Sequence, residues 1–491
     1  MLAWCSVFVT GATGCGGGQD VPAGPSDASS DARLTLSHGK GDASKPPSKD
    51  ALADTGHVVP PPVEAGGHVP PHLGVPDAGA DVSASIDAGF DASVPADATY
   101  PAFSFEVPQV SDDGAAVVGS ALFVPVVFPG ETLGAKIEAF MSAIGASDYW
   151  SSIGTEYGVG PATTTSLVVE STSPGSNITD AEIQQFLASA ISTDPRYRAL
   201  GPDVDAGSQA ANPSAMPPPD VIYVLFYPAG TSISADTLGE SCAGFGGYHS
   251  SFMLSNGGTV AYAVIPRCAT FNDLSGIDFV TVATSHELIE AATDPNPTVP
   301  SYAGVDTDHF VWQLTLGNGE VADMCSFLLD ANVHPTEPAM SAFLVQRVWS
   351  NAAALAGNDP CVPVIAGEGA YFNTVPESTE VDFVDQGKTY QTLGTQIPVG
   401  HTATVTLDLV SDAPTSGPWT VQLLDYGVAY QNPAYLDLKI VGAAEGLNGL
   451  TLTVQITALQ AGPTSLLGIS PYFIYSTIGE VSTFWIGAVT N

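Results

Sequence analysis

Basic residues are nearly missing from this chain. Lys and Arg number 11 in 491 residues, against 51 Asp and Glu, for a formal charge of −40. Such a chain repels phosphate backbones and anionic lipid surfaces, which excludes nucleic acid as a partner and leaves no route to a membrane through basic patches. It is also a poor composition for a cytosolic housekeeping enzyme. No stretch of about 20 apolar residues is present, so no helix is expected to span a bilayer. Cys-x-x-Cys spacing is missing too, which argues against a thiolate zinc site. Cys242, Cys268, Cys325 and Cys361 instead form an even set that reads as two disulfides, and hence as an extracytoplasmic chain, secreted or held at the outer surface. Four cysteines allow three connectivities. Order along the chain pairs Cys242 with Cys268 and Cys325 with Cys361.

What is present divides into four parts. Residues 1–15 are a short apolar run ending in small residues, with Ala12-Thr13-Gly14 before Cys15. This is similar to a lipoprotein signal with Cys15 as the acylated residue, which would make a lipid anchor the chain's one contact with a membrane; an ordinary secretory signal is the alternative. Residues 16–100 are Gly, Pro, Ala, Ser and Asp with almost no large apolar side chains, and are expected to be a disordered tether. Residues 101–365 mix strand and helix patterns, as an α/β or α+β domain does. Phe123–Phe128 and Thr259–Ile265 read as strands, Val221–Phe226 as a strand buried on both faces, and Phe343–Trp349 as a last strand. Ala135–Ile144 reads as a helix, and Thr179-Asp-Ala-Glu182 as a capping box that opens another. Residues 201–219 are a Pro/Ala/Gly-rich loop. In residues 366–491 apolar and polar residues alternate over 402–409, 436–440 and 450–456, and strands follow at 472–475 and 483–489, which predicts an all-β sandwich with a structural or adhesive role.

The chemistry concentrates in Thr284-Ser-His-Glu-Leu-Ile-Glu-Ala-Ala-Thr-Asp-Pro295 and in Asn318-Gly-Glu-Val-Ala-Asp-Met-Cys325. The first is a helix stopped by Pro295 and Pro297. His286 and Glu290, four apart, share one face of it, with Glu287 beside them. This is the geometry of the His-Glu-x-x-His zinc helix with the second histidine replaced by a carboxylate, which zinc also accepts. Glu320 offers a third ligand and Asp323 is its rival. Glu287 is then placed as the general base toward a water on the metal. The plain alternative is a helix whose His and Glu residues only cap and salt-bridge. Tyr248 and His249 are a possible substrate-binding pair, with His249 otherwise a buried structural histidine. Asp294, Asp306, Asp308 and Asn296 could hold calcium, but their spacing is not that of an EF-hand, and acidic loop surface is the plainer reading.

An ordered set of further pieces carries a resemblance. It comprises Ser147-Asp-Tyr-Trp150, Glu156-Tyr-Gly-Val-Gly160, Tyr223–Pro228, Cys242, Gly247-Tyr-His-Ser250, Cys268, Thr293-Asp-Pro295, Gly319–Cys325, and Trp349-Ser-Asn351 before Cys361. Over residues 120–361 the chain resembles the exordium/phosphate-induced secreted proteins, in the bacterial form that carries a zincin-like His-Glu-x-x-Glu segment. Plant members generally lack the His-Glu pair, so the resemblance alone does not imply an enzyme. Two functions are therefore expected to compete. One is a zinc-dependent hydrolase, a protease acting on protein or peptide substrates. The other is a non-catalytic surface or matrix binding protein with a relic or structural metal site. Sequence leaves the oligomeric state open.

Overall fold

The computed structural model describes residues 99–491, apart from 199–219, 236–237, 318, 366, 368 and 386. The expected signal with Cys15, the tether up to residue 98 and the loop 201–219 lie outside the described residues. Strands dominate and helices are few.

Three continuous apolar runs build the middle of one sheet. Leu122–Val127, Val221–Phe226 and Thr259–Ile265 lie side by side and parallel. Tyr248–Met253 closes one edge antiparallel to Thr259–Ile265, and the short pairs Thr163–Thr164 and Val168–Val169 close the other. Alternation along each strand serves two cores, because successive side chains point to opposite faces. Phe123, Ile222, Val224, Ala261 and Ala263 share a core with helices Gly134–Ile144 and Gly276–Thr293. Val124, Val126, Tyr223, Leu225, Tyr262 and Val264 share another with helix Asp180–Thr193. Thr179 and Glu182 form the expected capping box at the start of that helix.

One predicted strand is split. Val345–Gln346 pairs with Asn332–Val333, whereas Val348–Trp349 pairs with Cys361–Val362. The ladder changes partner at Arg347, whose N–H donates to the Ala331 carbonyl at 2.7 Å. Its guanidinium is buried, ion-paired with Asp330 at 3.2 Å and with Asp359, and donates to the Cys361 carbonyl. A charge this buried must turn toward its counter-ions, which breaks the run.

Residues from Phe372 onward form two facing sheets. Phe372–Pro376, Thr402–Ser411, Thr451–Ala458 and Leu436–Val441 make an antiparallel four-stranded sheet. Thr379–Asp385, Lys388–Gln396, Val481–Thr490, Ser470–Ile478, Trp419–Asp425 and Glu445–Gly446 make a six-stranded one. Val405, Leu407, Leu409, Val454 and Ile456 are buried, as their alternation requires. The expected boundary at 365/366 separates two architectures but not two bodies. Phe327 stacks on Phe473 with centroids 5.5 Å apart, and Trp312 packs against Trp349, Phe484 and Trp485. An N-terminal arm joins them as well. Asn448 holds the Thr99 carbonyl and the Ala102 N–H, Val110 pairs with Val305, and the Val118 N–H reaches the Ala292 carbonyl.

Disulfides link Cys242 to Cys268 and Cys325 to Cys361, closing spans of 26 and 36 residues. Each contributes about 3–4 kcal/mol by constraining the unfolded chain. The buried arginine supplies a direct test of the shared core. Arg347→Ala leaves Asp359 buried without its cation, and urea unfolding should show a loss of about 3–5 kcal/mol. A loss below about 1 kcal/mol would mean that water reaches Asp330 and Asp359.

Candidate metal centre

Helix Gly276–Thr293 is buried on every side from Phe279 to Thr293, so each polar side chain on it needs a partner. Its hydroxyls find theirs locally. Thr284, Ser285 and Thr293 bond back to the carbonyls of Val280, Val282 and Ile289. His286, Glu287 and Glu290 do not. They point into one cluster with His249, Asp294, Glu320 and Asp323, and none of the seven is more than 1% exposed.

Three pieces of chain deliver the other members. His249 lies on the edge strand opposite Ala263, in a register that turns its ring toward the helix. Asp294 caps the helix C-terminus and accepts from the Ser301 N–H at 2.9 Å. Glu320 and Asp323 come from the segment after Gly319. A Cβ on that glycine would stand 2.5 Å from the Gly304 carbonyl carbon, so only glycine allows the approach. The Asp323 N–H then donates to Glu290 Oε1 at 3.2 Å, and the Cys325–Cys361 bridge fastens the segment from behind.

His286 Nε2 is 2.9 Å from Glu290 Oε2 and 3.6 Å from Asp323 Oδ1, and the three donor atoms lie within 4.8 Å of one another. Asp323 thus takes the place beside His286 and Glu290 for which Glu320 was the first choice. Glu320 stands in a second group with His249 and Asp294, its Oε1 3.4 Å from His249 Nε2. His249 Nδ1 faces Glu287 at 3.4 Å and Glu290 at 3.8 Å. Tyr248 is not at the site. As a strand neighbour of His249 it points to the opposite face of the sheet, where its hydroxyl donates to Asp180 at 2.7 Å. The calcium set does not assemble either. Asp306 caps His309, and Asn296 accepts from Ser251 on the edge strand and from Thr298 in its own loop. Only Asp294 of that set enters the cluster.

Gln346 has no signal in the sequence, yet it orients the key imidazole. Its amide NH₂ donates to the Ala322 carbonyl at 2.7 Å, which leaves Oε1 facing His286 Nδ1 at 2.9 Å. Assigned this way, Nδ1 carries a proton and Nε2 is directed into the carboxylates. Burial pushes His286 toward neutrality, but Glu290, Glu287 and Asp323 outweigh it and hold its pKa up at about 10. Burial raises Glu290 to about 7, with His286 opposing, and burial raises Asp294 to about 7, with Glu320 adding to it. Asp323 is pushed well above the usual carboxylate range, again first by burial.

These residues fit a metal ion. Among the described residues, no hydrogen-bond donor reaches either oxygen of Glu287 or of Asp323, all four of which are buried. The counter-ions within reach are imidazoles rather than Lys or Arg. One nitrogen and two carboxylate donors make a ligand set zinc accepts, with Gln346 as its outer support.

No protein-family model matches the chain, and no curated protein matches it. Solved structures match parts of it. A lipoprotein from Bacteroides thetaiotaomicron is 11% identical over 26% of this chain and 85% of its own, with a TM-score of 0.17. The titin M3 domain is 14% identical over 24% and 97%, with a TM-score of 0.14. Domains 4 and 5 of the S-layer protein SbsC are 13% identical over 30% and 91%, with a TM-score of 0.15. Likenesses of that size carry no argument about function.

The raised pKa values set a pH dependence for the metal-free protein. Glu290 and Asp294 have ordinary values of 4.5 and 3.8, so their contribution is fully present below those values and is lost as pH rises through about 7. That of His286 is present below 6.5 and lost through about 10. The direction is the same for all three. Chelator-treated protein should melt at a lower temperature at pH 8 than at pH 5, by a few kcal/mol in stability, and zinc should remove the difference. A metal-free melting temperature that rises over this range would contradict the cluster's burial.

Proposed function

We propose that this chain is a secreted or surface-anchored zinc-dependent hydrolase that cleaves protein or peptide substrates, with a zincin-like domain of the exordium-like type. The observation that supports it is Glu287. Its carboxylate is wholly buried, receives no hydrogen-bond donor among the described residues, and groups with His249 and with Glu290, which is also a member of the His286–Glu290–Asp323 set. A structural metal needs only its ligands, and a further buried carboxylate costs stability. Bound zinc would supply Lewis acidity and lower the pKa of a water toward about 7. With the metal bound, Glu287 would be the residue to serve as general base toward such a water and as proton donor to the leaving amine. Gln346 holds the His286 ring, Asp323 and Glu290 fix each other through the Asp323 N–H, and His249 Nδ1 faces Glu287 and limits where its carboxylate can swing. The surrounding core excludes bulk water.

Two disulfides fit an extracytoplasmic, oxidising compartment. Among the described residues no helix is long and apolar enough to cross a membrane. Attachment through an acylated Cys15 and the absence of a nucleic-acid partner belong to the same proposal.

One observation favours a second reading. The cluster is closed to solvent, which suits a structural metal in a non-catalytic surface binding protein, whereas a hydrolase must open to admit substrate. Isosteric substitution separates the two. In a hydrolase, Glu287→Gln keeps its zinc while turnover of casein or a peptide library falls by about 10²–10⁴. His286→Ala loses the ion held with Glu290 and Asp323, and activity with it. A wild type that holds zinc but cleaves nothing, and that Glu287→Gln matches in every assay, would establish the structural reading.

A further inference from the structure

We infer that the centre holds two divalent cations, the second bound by His249 Nε2, Asp294 and Glu320. This rests on the metal centre proposed above and extends it. The first observation is geometric. His249 Nε2 is 3.4 Å from Glu320 Oε1, and the donor atoms of His249, Asp294 and Glu320 lie within 4.8 Å of one another, a spacing that ligand bonds of about 2.0–2.2 Å to one ion can close. The second is independent of it. Glu320 is wholly buried, and among the described residues neither of its oxygens receives an N–H or O–H donor. Asp294 has one oxygen fixed by the Ser301 N–H, and its other oxygen has no donor.

Charge argues the same way. Glu287, Glu290, Asp294, Glu320 and Asp323 are all buried around two imidazoles. A single divalent ion at His286, Glu290 and Asp323 leaves most of that charge uncompensated in a medium where isolated carboxylates are strongly disfavoured. A second ion on the far side of His249 compensates Asp294 and Glu320, which the first group does not include. The His249 ring then joins the two positions. Nε2 faces the second position, 3.4 Å from Glu320 Oε1, and Nδ1 faces Glu287 at 3.4 Å on the side of the first. One imidazole nitrogen with two carboxylates suits a first-row divalent cation such as zinc or manganese.

Metal counting tests this on the full chain. Protein stripped with chelator and reloaded with zinc chloride is measured by native mass spectrometry and elemental analysis. The wild type should bind two ions per chain, and Asp294→Asn and Glu320→Gln one each. His286→Ala should lose the other. Manganese loading of the wild type gives a readout that needs no variant, since two adjacent ions yield a spin-coupled paramagnetic spectrum. One zinc in the wild type, with a lone-ion manganese spectrum, overturns the second position and leaves the first standing. No zinc at all overturns both. Two zincs that survive both Asp294→Asn and Glu320→Gln overturn the assignment of residues.

Discussion

Negative charge without enough positive charge inside the protein is the constraint on which the rest of this structure depends. Five carboxylates sit in the interior around two histidines, with no lysine or arginine among the described residues bonded to them. Protons or metal ions must make up the difference. Protonation is the weaker remedy near neutral pH, where the raised Glu290 and Asp294 begin to lose theirs. The architecture is what keeps such a cluster dry. A parallel sheet lies on one side of the helix, the disulfide-fastened segment on another, and the sandwich closes the core behind them.

Much of the centre could be read from spacing alone. His286 and Glu290 are four residues apart, and a helix turns that into a shared face whatever the rest of the fold does. Glu320 and Asp323 were nameable as candidates, but choosing between them needs the path of the chain after Gly319, and a close backbone approach leaves no mark beyond a glycine. His249 is ambiguous for a different reason. Strand alternation puts either it or Tyr248 toward the helix, and only the register against Ala263 decides which. Asp294 looked like loop because prolines follow it. Gln346 was invisible, since an amide that orients an imidazole across 60 residues obeys no local pattern.

The fold was legible where one face of an element meets water or a run is wholly apolar. Val221–Phe226 and the alternating strands at 402–411, 436–441 and 451–458 follow from that rule. Lys388–Gln396 was harder, because its buried positions are taken by Thr392 and Gly394 rather than by apolar side chains. The unity of the two architectures was hidden for a similar reason. Trp312, Trp349 and Trp485 look like separate core residues until the fold stacks them together.

The N-terminal arm gives the molecule a load path. A pull on the chain ahead of residue 99 arrives first at the Asn448 side chain, which grips Thr99 and Ala102 on the sandwich. It passes next to the Val110–Val305 pair and the Asn351 amide, then to Asp113 and Ala116, which bond Ser301, and then to Val118, whose N–H holds Ala292, two residues short of Asp294. These clips stand in series, so a tug must open the outer ones before any strain reaches the end of the helix. Ser301, which bonds Asp113 and Ala116 of the arm and whose N–H holds Asp294, is where that load path meets the carboxylate cluster.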